Sequence, residues 1–271
     1  MGCPITTINI NTEVISPNIK FDETQRILYV IYENKPKIAI VKKLTSEVNI
    51  DLSESGLEVI NQGSFYNQAS IKTVTFPTGL TAIGDYSFTG CTGLTELTIP
   101  KSVTNLGGFA FSGCTSLTTL TFDEGSNVHI DIHCFEYCSM LTTITLPQEG
   151  FIGSSVFRFC TSLREITIPS GFEIEINSYN PFAGCENLKS INVAETNALY
   201  SFWNGGLYSK YFNTLYIALD SDSFTFHETT RNIHTRAFCN NTKLKSISIP
   251  KIIGYLSQNT FESCLNLESI H

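Results

Sequence analysis

The pattern F-x-x-C-x-x-L-x-x-I-x-I-P returns along this 271-residue chain without internal gaps. Its anchors are Phe65, Phe88, Phe111, Phe135, Phe157, Phe182, Phe238 and Phe261, separated by 23, 23, 24, 22, 25, 56 and 23 positions, the 56-residue step being two longer units. Three residues after each anchor stand Gln68, Cys91, Cys114, Cys138, Cys160, Cys185, Asn241 and Cys264. Three later come Ile71, Leu94, Leu117, Leu141, Leu163, Leu188, Leu244 and Leu267. A unit this short cannot bury its apolar face alone, so successive units must stack into a solenoid.

Within each unit apolar and polar residues then alternate, as in Leu97-Thr98-Ile99 and Leu120-Thr121-Phe122, the period of a strand. The expected fold is a β-rich solenoid: a leucine-rich-repeat stack of about ten coils of roughly 23 residues, with a parallel strand per coil. Pro77, Pro100, Pro147, Pro169 and Pro250 lack the N–H of a ladder bond and are expected to stop each strand. A weaker second stretch, Leu80 to Ile83, Val103 to Leu106 and Ile174 to Ile176, predicts a second short sheet. Gly84 and Gly107 fit a tight backbone position there, and small Ser87 and Ala110 before the anchor point to crowding between coils. Two segments depart from the repeat yet match each other: Leu28-Tyr29 with Ile38-Ala39-Ile40, and Leu207-Tyr208 with Ile217-Ala218-Leu219. Each is expected to be a variant coil, near 21–58 and 195–237, within one solenoid spanning 21–271. Residues 1–20 are expected to form a tail or cap. Ile270 begins a strand immediately before His271, which predicts either a piece of a longer protein or self-association through an uncapped C-terminal coil.

This pattern resembles the BspA-like, or TpLRR, class of leucine-rich repeats. The resemblance covers roughly residues 59 to 271, with Ile83-Gly84, Ser87-Phe88, Cys91, Leu94, Leu97 and Ile99-Pro100 as its cleanest copy. It implies a surface or secreted interaction module of the kind found in mucosal bacteria and protist parasites, adhering to host matrix or other cells. A cell-surface or extracellular location is an expectation from that resemblance alone.

Composition narrows the partner classes. Seventeen basic against 25 acidic residues leave a net charge of −8, so nucleic-acid backbones and anionic membranes are repelled on average. No apolar run approaches the roughly 18 residues of a transmembrane segment. Six of the nine cysteines hold one ladder position that Asn241 and Gln68 also fill, which reads as buried structural thiols rather than disulfides. His129, His133, Cys134 and Cys138 are ligand types for zinc, but their spacing fits no established finger, and no metal site or cofactor is expected. No nucleophile elbow, phosphate loop or H-E-x-x-H occurs, so the expectation is a protein that is not an enzyme. The opening Met1-Gly2-Cys3-Pro4-Ile5-Thr6 fits N-myristoylation with Cys3 open to palmitoylation, which supports an alternative reading as a lipid-anchored intracellular scaffold.

Stacking in register would align outward side chains in rows across the strand face. One row is Thr75, Thr98, Thr121, Thr145, Thr167, Asn192 and Ser248; beside it run Glu96, Thr119, Thr143 and Glu165. These are the expected binding residues, either as a hydroxyl-lined platform for protein or glycan partners or simply as β-branched residues suited to a sheet. A Thr-x-Thr ice-binding array is a third possibility, interrupted here by Glu96 and Glu165. Trp203 and Tyr208, in the aromatic-rich variant segment, are expected either to join the binding surface or to fill a wider core.

Overall fold

The computed structural model describes residues 19–22, 27–32, 35–41, 47–175, 179–257 and 259–271. They form a parallel β-solenoid of about ten turns, with no helix among them. The tail or cap at 1–20 falls almost wholly outside the described residues, as do Met1 to Thr6 and Cys3.

Twenty-two strands occur among the described residues. β1 (Ile19–Asp22), β2 (Ile27–Tyr32) and β3 (Lys35–Val41) form an antiparallel meander. From there each coil supplies one strand to each of two faces. The first face carries the leucine-rich strands β4 (Val48–Asp51), β6 (Ile71–Thr75), β8 (Glu96–Ile99), β10 (Thr119–Phe122), β12 (Thr143–Thr145), β14 (Glu165–Ile168) and β16 (Ser190–Val193). The second carries β5 (Val59–Ile60), β7 (Ala82–Ile83), β9 (Asn105–Leu106), β11 (Asn127–Ile130), β13 (Glu149–Ile152) and β15 (Gly171–Ile174), a continuous six-stranded parallel sheet. β17 (Tyr200–Trp203), β18 (Gly206–Ser209) and β19 (Thr214–Ala218) make a second antiparallel meander, and β20 (Asn232–Ile233) pairs parallel to β19. β21 (Ser246–Ile247) and β22 (Ser269–Ile270) close the described chain as a parallel pair.

The anchor phenylalanines explain why the coils stay in register. Phe65, Phe88, Phe111, Phe135, Phe157 and Phe182 stack along the axis with ring centroids 4.7, 5.1, 5.4, 5.7 and 6.2 Å apart, near-parallel and essentially buried. Behind them Ile60, Ile83, Leu106, Ile130, Ile152 and Ile174 pair one on the next through the second sheet, all buried. Burying each such side chain stabilises by about 1.5–3 kcal/mol, before the entropy of ordering the chain is counted.

Around the anchors from Phe65 to Phe157 the backbone satisfies itself in two directions. Ser87, Thr89 and Cys91 N–H groups donate back three residues to Gly84, Tyr86 and Phe88 carbonyls, at 3.3, 3.3 and 3.1 Å. Tyr86, Phe88 and Gly90 N–H groups instead donate to Gly108, Ala110 and Ser112 of the next coil, at 3.0, 2.7 and 2.8 Å. That alternation requires left-handed backbone two residues before and two after the anchor, as at Tyr86 (φ 56°) and Gly90 (φ 73°). Where the residue there is aromatic, stacking accompanies the strain: Tyr86, Phe109 and His133 pile at 5.0 and 4.6 Å.

Several expectations hold in detail. A Cβ on Gly84 would lie 2.8 Å from the backbone nitrogen of Gln62, so coil-to-coil crowding does demand glycine. Ser87 and Ala110 are wholly buried. The second sheet exists, although its last expected segment ends at Ile174, with Ile176 outside the described residues.

Two expectations need correction. The variant segments are not plain coils: each carries a three-stranded antiparallel meander, in spans that also supply the parallel strands β4 and β20. Both carry a register shift at the same dipeptide, Leu28/Tyr29 in the first and Leu207/Tyr208 in the second. Alternating apolar strands suit a hairpin as well as a coil, and the shared bulge accounts for the matching sequences. The first face is also not one continuous sheet: its ladders break into β4–β6, β8–β10 and β12–β14–β16.

Candidate interaction surface

Strand periodicity sorts the first face cleanly into core and solvent. Leu97, Leu120, Ile144, Ile166 and Ile191 point inward and are buried, whereas Thr75, Thr98, Thr121, Thr145 and Asn192 are exposed and Thr167 half-exposed. The expected rows are present in pieces, one per ladder: Thr98 faces Thr121, and Thr145 faces Thr167, which in turn faces Asn192. Glu96 pairs with Thr119 and Thr143 with Glu165, all four exposed. Ser248 departs from the row, lying past the end of β21, separated from Asn192 by the second meander.

Few of these groups engage one another. Thr98 and Thr121 hydroxyls share a hydrogen bond of 2.9 Å, and Asn192 Nδ2 donates to Glu165. Among the described residues no hydrogen bond holds the side-chain hydroxyls of Thr75, Thr119, Thr143 or Thr145, and all four residues are exposed. Directly behind, at the row that leads each strand, Thr95 and Thr118 hydroxyls donate to the carbonyls of Lys72 and Thr95 in the preceding coil (3.3 and 3.0 Å) and serve the stack itself.

A cleft of about 470 Å³ opens on this face between β10 and β12, where the ladder breaks. Its origin is a mismatch of coil length. Leu120 and Ile130 lie ten positions apart, while Ile144 and Ile152 in the next coil lie only eight apart. Asp123 also stands where four other coils in this run of anchors carry the strand-ending proline, and its N–H donates to Ile99 O at 3.0 Å, a bond proline could not make. The longer turn Asp123-Glu124-Gly125 projects past its shorter neighbour. Phe122 is therefore half-exposed in the cleft, although Phe76, Ile99, Leu146 and Ile168 at the same position of other coils are buried. The alternation of the repeat points to Thr119, Thr121, Thr143 and Thr145 of this cleft but not to Phe122, Asp123 and Glu124. Their signal lay in the 24-then-22 spacing and the missing proline.

The variant-segment aromatics divide between core and surface. Tyr208 is fully buried, its hydroxyl accepting the His227 N–H at 3.3 Å, and burial pushes its phenol pKa up. It is a core residue, which corrects the expectation that it contacts partners. Tyr200 is likewise buried, its hydroxyl bonded to both N–H and C=O of Ile174. Trp203 remains exposed at 37% and meets His227 edge-on at 5.2 Å.

The ladder cysteines occupy the core as expected. Cys91, Cys114, Cys138, Cys160, Cys185 and Cys264 each direct a thiol at the carbonyl of an anchor phenylalanine in the preceding coil, at 3.2, 3.4, 3.4, 3.2, 3.0 and 3.0 Å. Asn241 does the same work with its amide, donating to Leu219 O at 3.0 Å. Eight cysteines are free among the described residues. Burial pushes Cys91, Cys138 and Cys185 up to about 12, far from a reactive thiolate. The four zinc-type ligands do not converge: Cys134 and Cys138 are buried, His133 pairs with Glu136 at 3.0 Å, and His129 is exposed against Phe151 on the second face. No group of three potential ligands for a metal occurs among the described residues.

A family model of the BspA type leucine rich repeat region matches residues 58–189 and 207–271 in six copies. The chain belongs to that family. The fold is that of solved relatives: the pneumococcal vaccine antigen PcpA (19% identity, TM-score 0.62, covering 93% of this chain and 69% of that one) and a leucine rich cell surface protein of Faecalibacterium prausnitzii (22%, 0.62, 94% and 76%). The Treponema protein TpLRR is similar too (19%, 0.59, 90% of this chain and 99% of that one). No curated protein matches in sequence. The molecule is thus a BspA-type leucine-rich-repeat protein, a fold built for interaction. Among the described residues no helix is long and apolar enough to cross a membrane.

Proposed function

We propose that this BspA-type protein is a non-catalytic adhesion module at a cell surface, binding protein or glycan partners on host or neighbouring cells through the exposed strand face. The observation that carries the reading is the set of exposed threonine hydroxyls on the outer side of β6, β10 and β12, hydrogen-bond groups that no partner among the described residues engages at Thr75, Thr119, Thr143 and Thr145. A solenoid face presents many modest contacts over a large area, which suits broad surface recognition better than chemistry on a small substrate. Two structural relatives, a vaccine antigen and a cell surface protein, support a surface location for this chain.

The test is binding of the labelled chain to intact epithelial cells and a matrix-protein array, beside a Thr98→Lys/Thr121→Lys/Thr145→Lys variant of unchanged circular dichroism. Saturable binding that the variant loses by ten-fold or more is the expected result. Equal binding by both proteins would move the site off the strand face, and binding to neither surface would remove the adhesion reading.

A further inference from the structure

We propose that the cleft between β10 and β12 is a receptor for a cationic side chain, a lysine or arginine borne on an exposed segment of a protein partner. The inference rests on the reading of the strand face as a protein-binding surface and names the chemistry that one part of that face selects.

The floor and the lip of the cleft supply the two halves of such a receptor. Leu120, Ile144 and Leu146 form an apolar base, and the half-exposed Phe122 ring has no aromatic partner among the described residues. Phe122 packs in part against the core and gives the rest of its ring to the cleft, where an aromatic surface near carboxylates attracts an ammonium or guanidinium group and packs its methylene stem. Asp123 and Glu124 stand exposed at the lip, and neither forms an ion pair among the described residues. The Asp123 carboxylate has one protein contact, a long 3.4 Å bond from the Lys101 N–H. Thr119, Thr121, Thr143 and Thr145 hydroxyls and the Gln148 amide line the walls and can accept the remaining N–H groups of a bound cation.

Volume and charge decide between occupants. About 470 Å³ holds one long side chain with its flanking backbone, and falls within the ordinary range of ligand sites. No lysine, arginine or histidine lines the cleft, so acidic peptides, phosphates and sulfated glycans find no counter-charge and meet the repulsion of a chain of net charge −8. A neutral sugar would use the hydroxyls but leave both carboxylates without a charged partner. A cation engages ring, carboxylates and hydroxyls together.

The probe is fluorescein-labelled acetyl-tetralysine amide, followed by anisotropy with the full chain at low salt, and with tetraglutamate and maltotriose as counter-probes. Tetralysine should bind saturably, weaken at least ten-fold in Asp123→Asn/Glu124→Gln and at least three-fold in Phe122→Leu, and keep its affinity in Phe122→Tyr. A remote Asp222→Asn/Glu228→Gln variant removes the same charge and should change affinity less than two-fold. Equal weakening by the remote pair would show bulk electrostatics and overturn the proposal, as would absence of tetralysine binding or a preference for maltotriose. The matrix array separates the two readings. Array binding lost in the triple lysine variant but untouched in Asp123→Asn/Glu124→Gln sinks the cleft and leaves the strand face standing. Site-specific tetralysine binding by a chain that binds no array protein supports the cleft and removes the adhesion reading.

Discussion

At the scale of single residues, the cysteine ladder shows how one position serves the stack. A thiol is small enough to sit behind the anchor ring and still directs a weak donor at the carbonyl of the coil before. Its position was legible because six units repeat it, and Asn241 supports the same account by making the corresponding bond with an amide. Burial is the main cause raising the thiols, with Cys91, Cys138 and Cys185 near 12 and Cys114, Cys134 and Cys160 well above their ordinary value of 9.0. The consequence for stability follows by linkage. Below the unfolded value both states hold the proton and pH has no effect through these groups. Between about 9 and 12 the unfolded chain releases protons that the folded chain keeps, so stability falls as pH rises, by at most about 1.4 kcal/mol per pH unit for each thiol. Cys138→Ser, whose hydroxyl can still donate to Phe111 O, should therefore unfold in guanidinium with a shallower loss of stability from pH 9 to 10.5 than the parent. Parallel curves for the two proteins would contradict the burial of that thiol. Tyr208 marks the opposite case: an aromatic-rich segment gives no sign in sequence of which ring faces in, because that choice is made by the bulge beside it.

Elements were legible to the extent that neighbours in sequence repeat them. The parallel strands and the second sheet follow from alternation and from prolines at the strand ends, and both appear where expected. The meanders were not distinguishable from coils, since a hairpin and a coil bury the same alternating residues and only the pairing partner differs. The second meander is set by one polar residue. Asn197 is wholly buried, donates from Nδ2 to Pro169 O at 2.8 Å, and accepts the N–H groups of Leu199 and Tyr200 at 2.8 and 2.9 Å, fixing where β17 begins. Asn197→Ala would leave these groups without their partner and should destabilise the protein by about 2–4 kcal/mol. Trp203, the single tryptophan, lies on β17 and reports on the site directly, so its emission should shift to the red at lower denaturant in the variant. A change below about 0.5 kcal/mol, within the scatter of ordinary surface substitutions, would mean that β17 is held by its ladder alone. The cleft beside β10 was legible in principle, because a long coil followed by a short one must leave an unmatched turn. Reading it required comparing connection lengths between coils rather than matching residues to the motif.

For the whole molecule, the meander β17–β19 acts as a septum between two cores. Tyr200, Leu207, Ile217 and Leu219 belong to the larger cluster, which runs from Ile27 to the sixth anchor and beyond, whereas Tyr208, Leu215 and Ala218 belong to a smaller one built on Phe224, Phe226 and Phe238. Backbone pairing runs from coil to neighbouring coil, with only side-chain contacts such as Lys243 Nζ to Glu186 O and Arg236 over the Tyr179 ring reaching past the meander, so stability is largely a sum of local terms and need not be lost at a single step. The smaller core is also built from far fewer buried side chains than the larger one. Both facts predict unequal protection along the axis. Amides bonded between central coils, such as Phe111 N–H to Cys134 O at 2.8 Å and Phe135 N–H to Val156 O at 2.9 Å, should exchange slowest. Phe238 N–H, which donates to Thr260 O at 3.0 Å, and the β21–β22 pair should exchange first, and Phe261→Ala should accelerate exchange on the C-terminal side of the septum without altering the central coils. Phe111→Ala, by contrast, removes a ring stacked on both neighbours and should cost about 3–5 kcal/mol, with protection lost on both sides of it. If Phe261→Ala instead lowered protection uniformly to the first anchor, the two clusters would be one cooperative unit and the septum would insulate nothing.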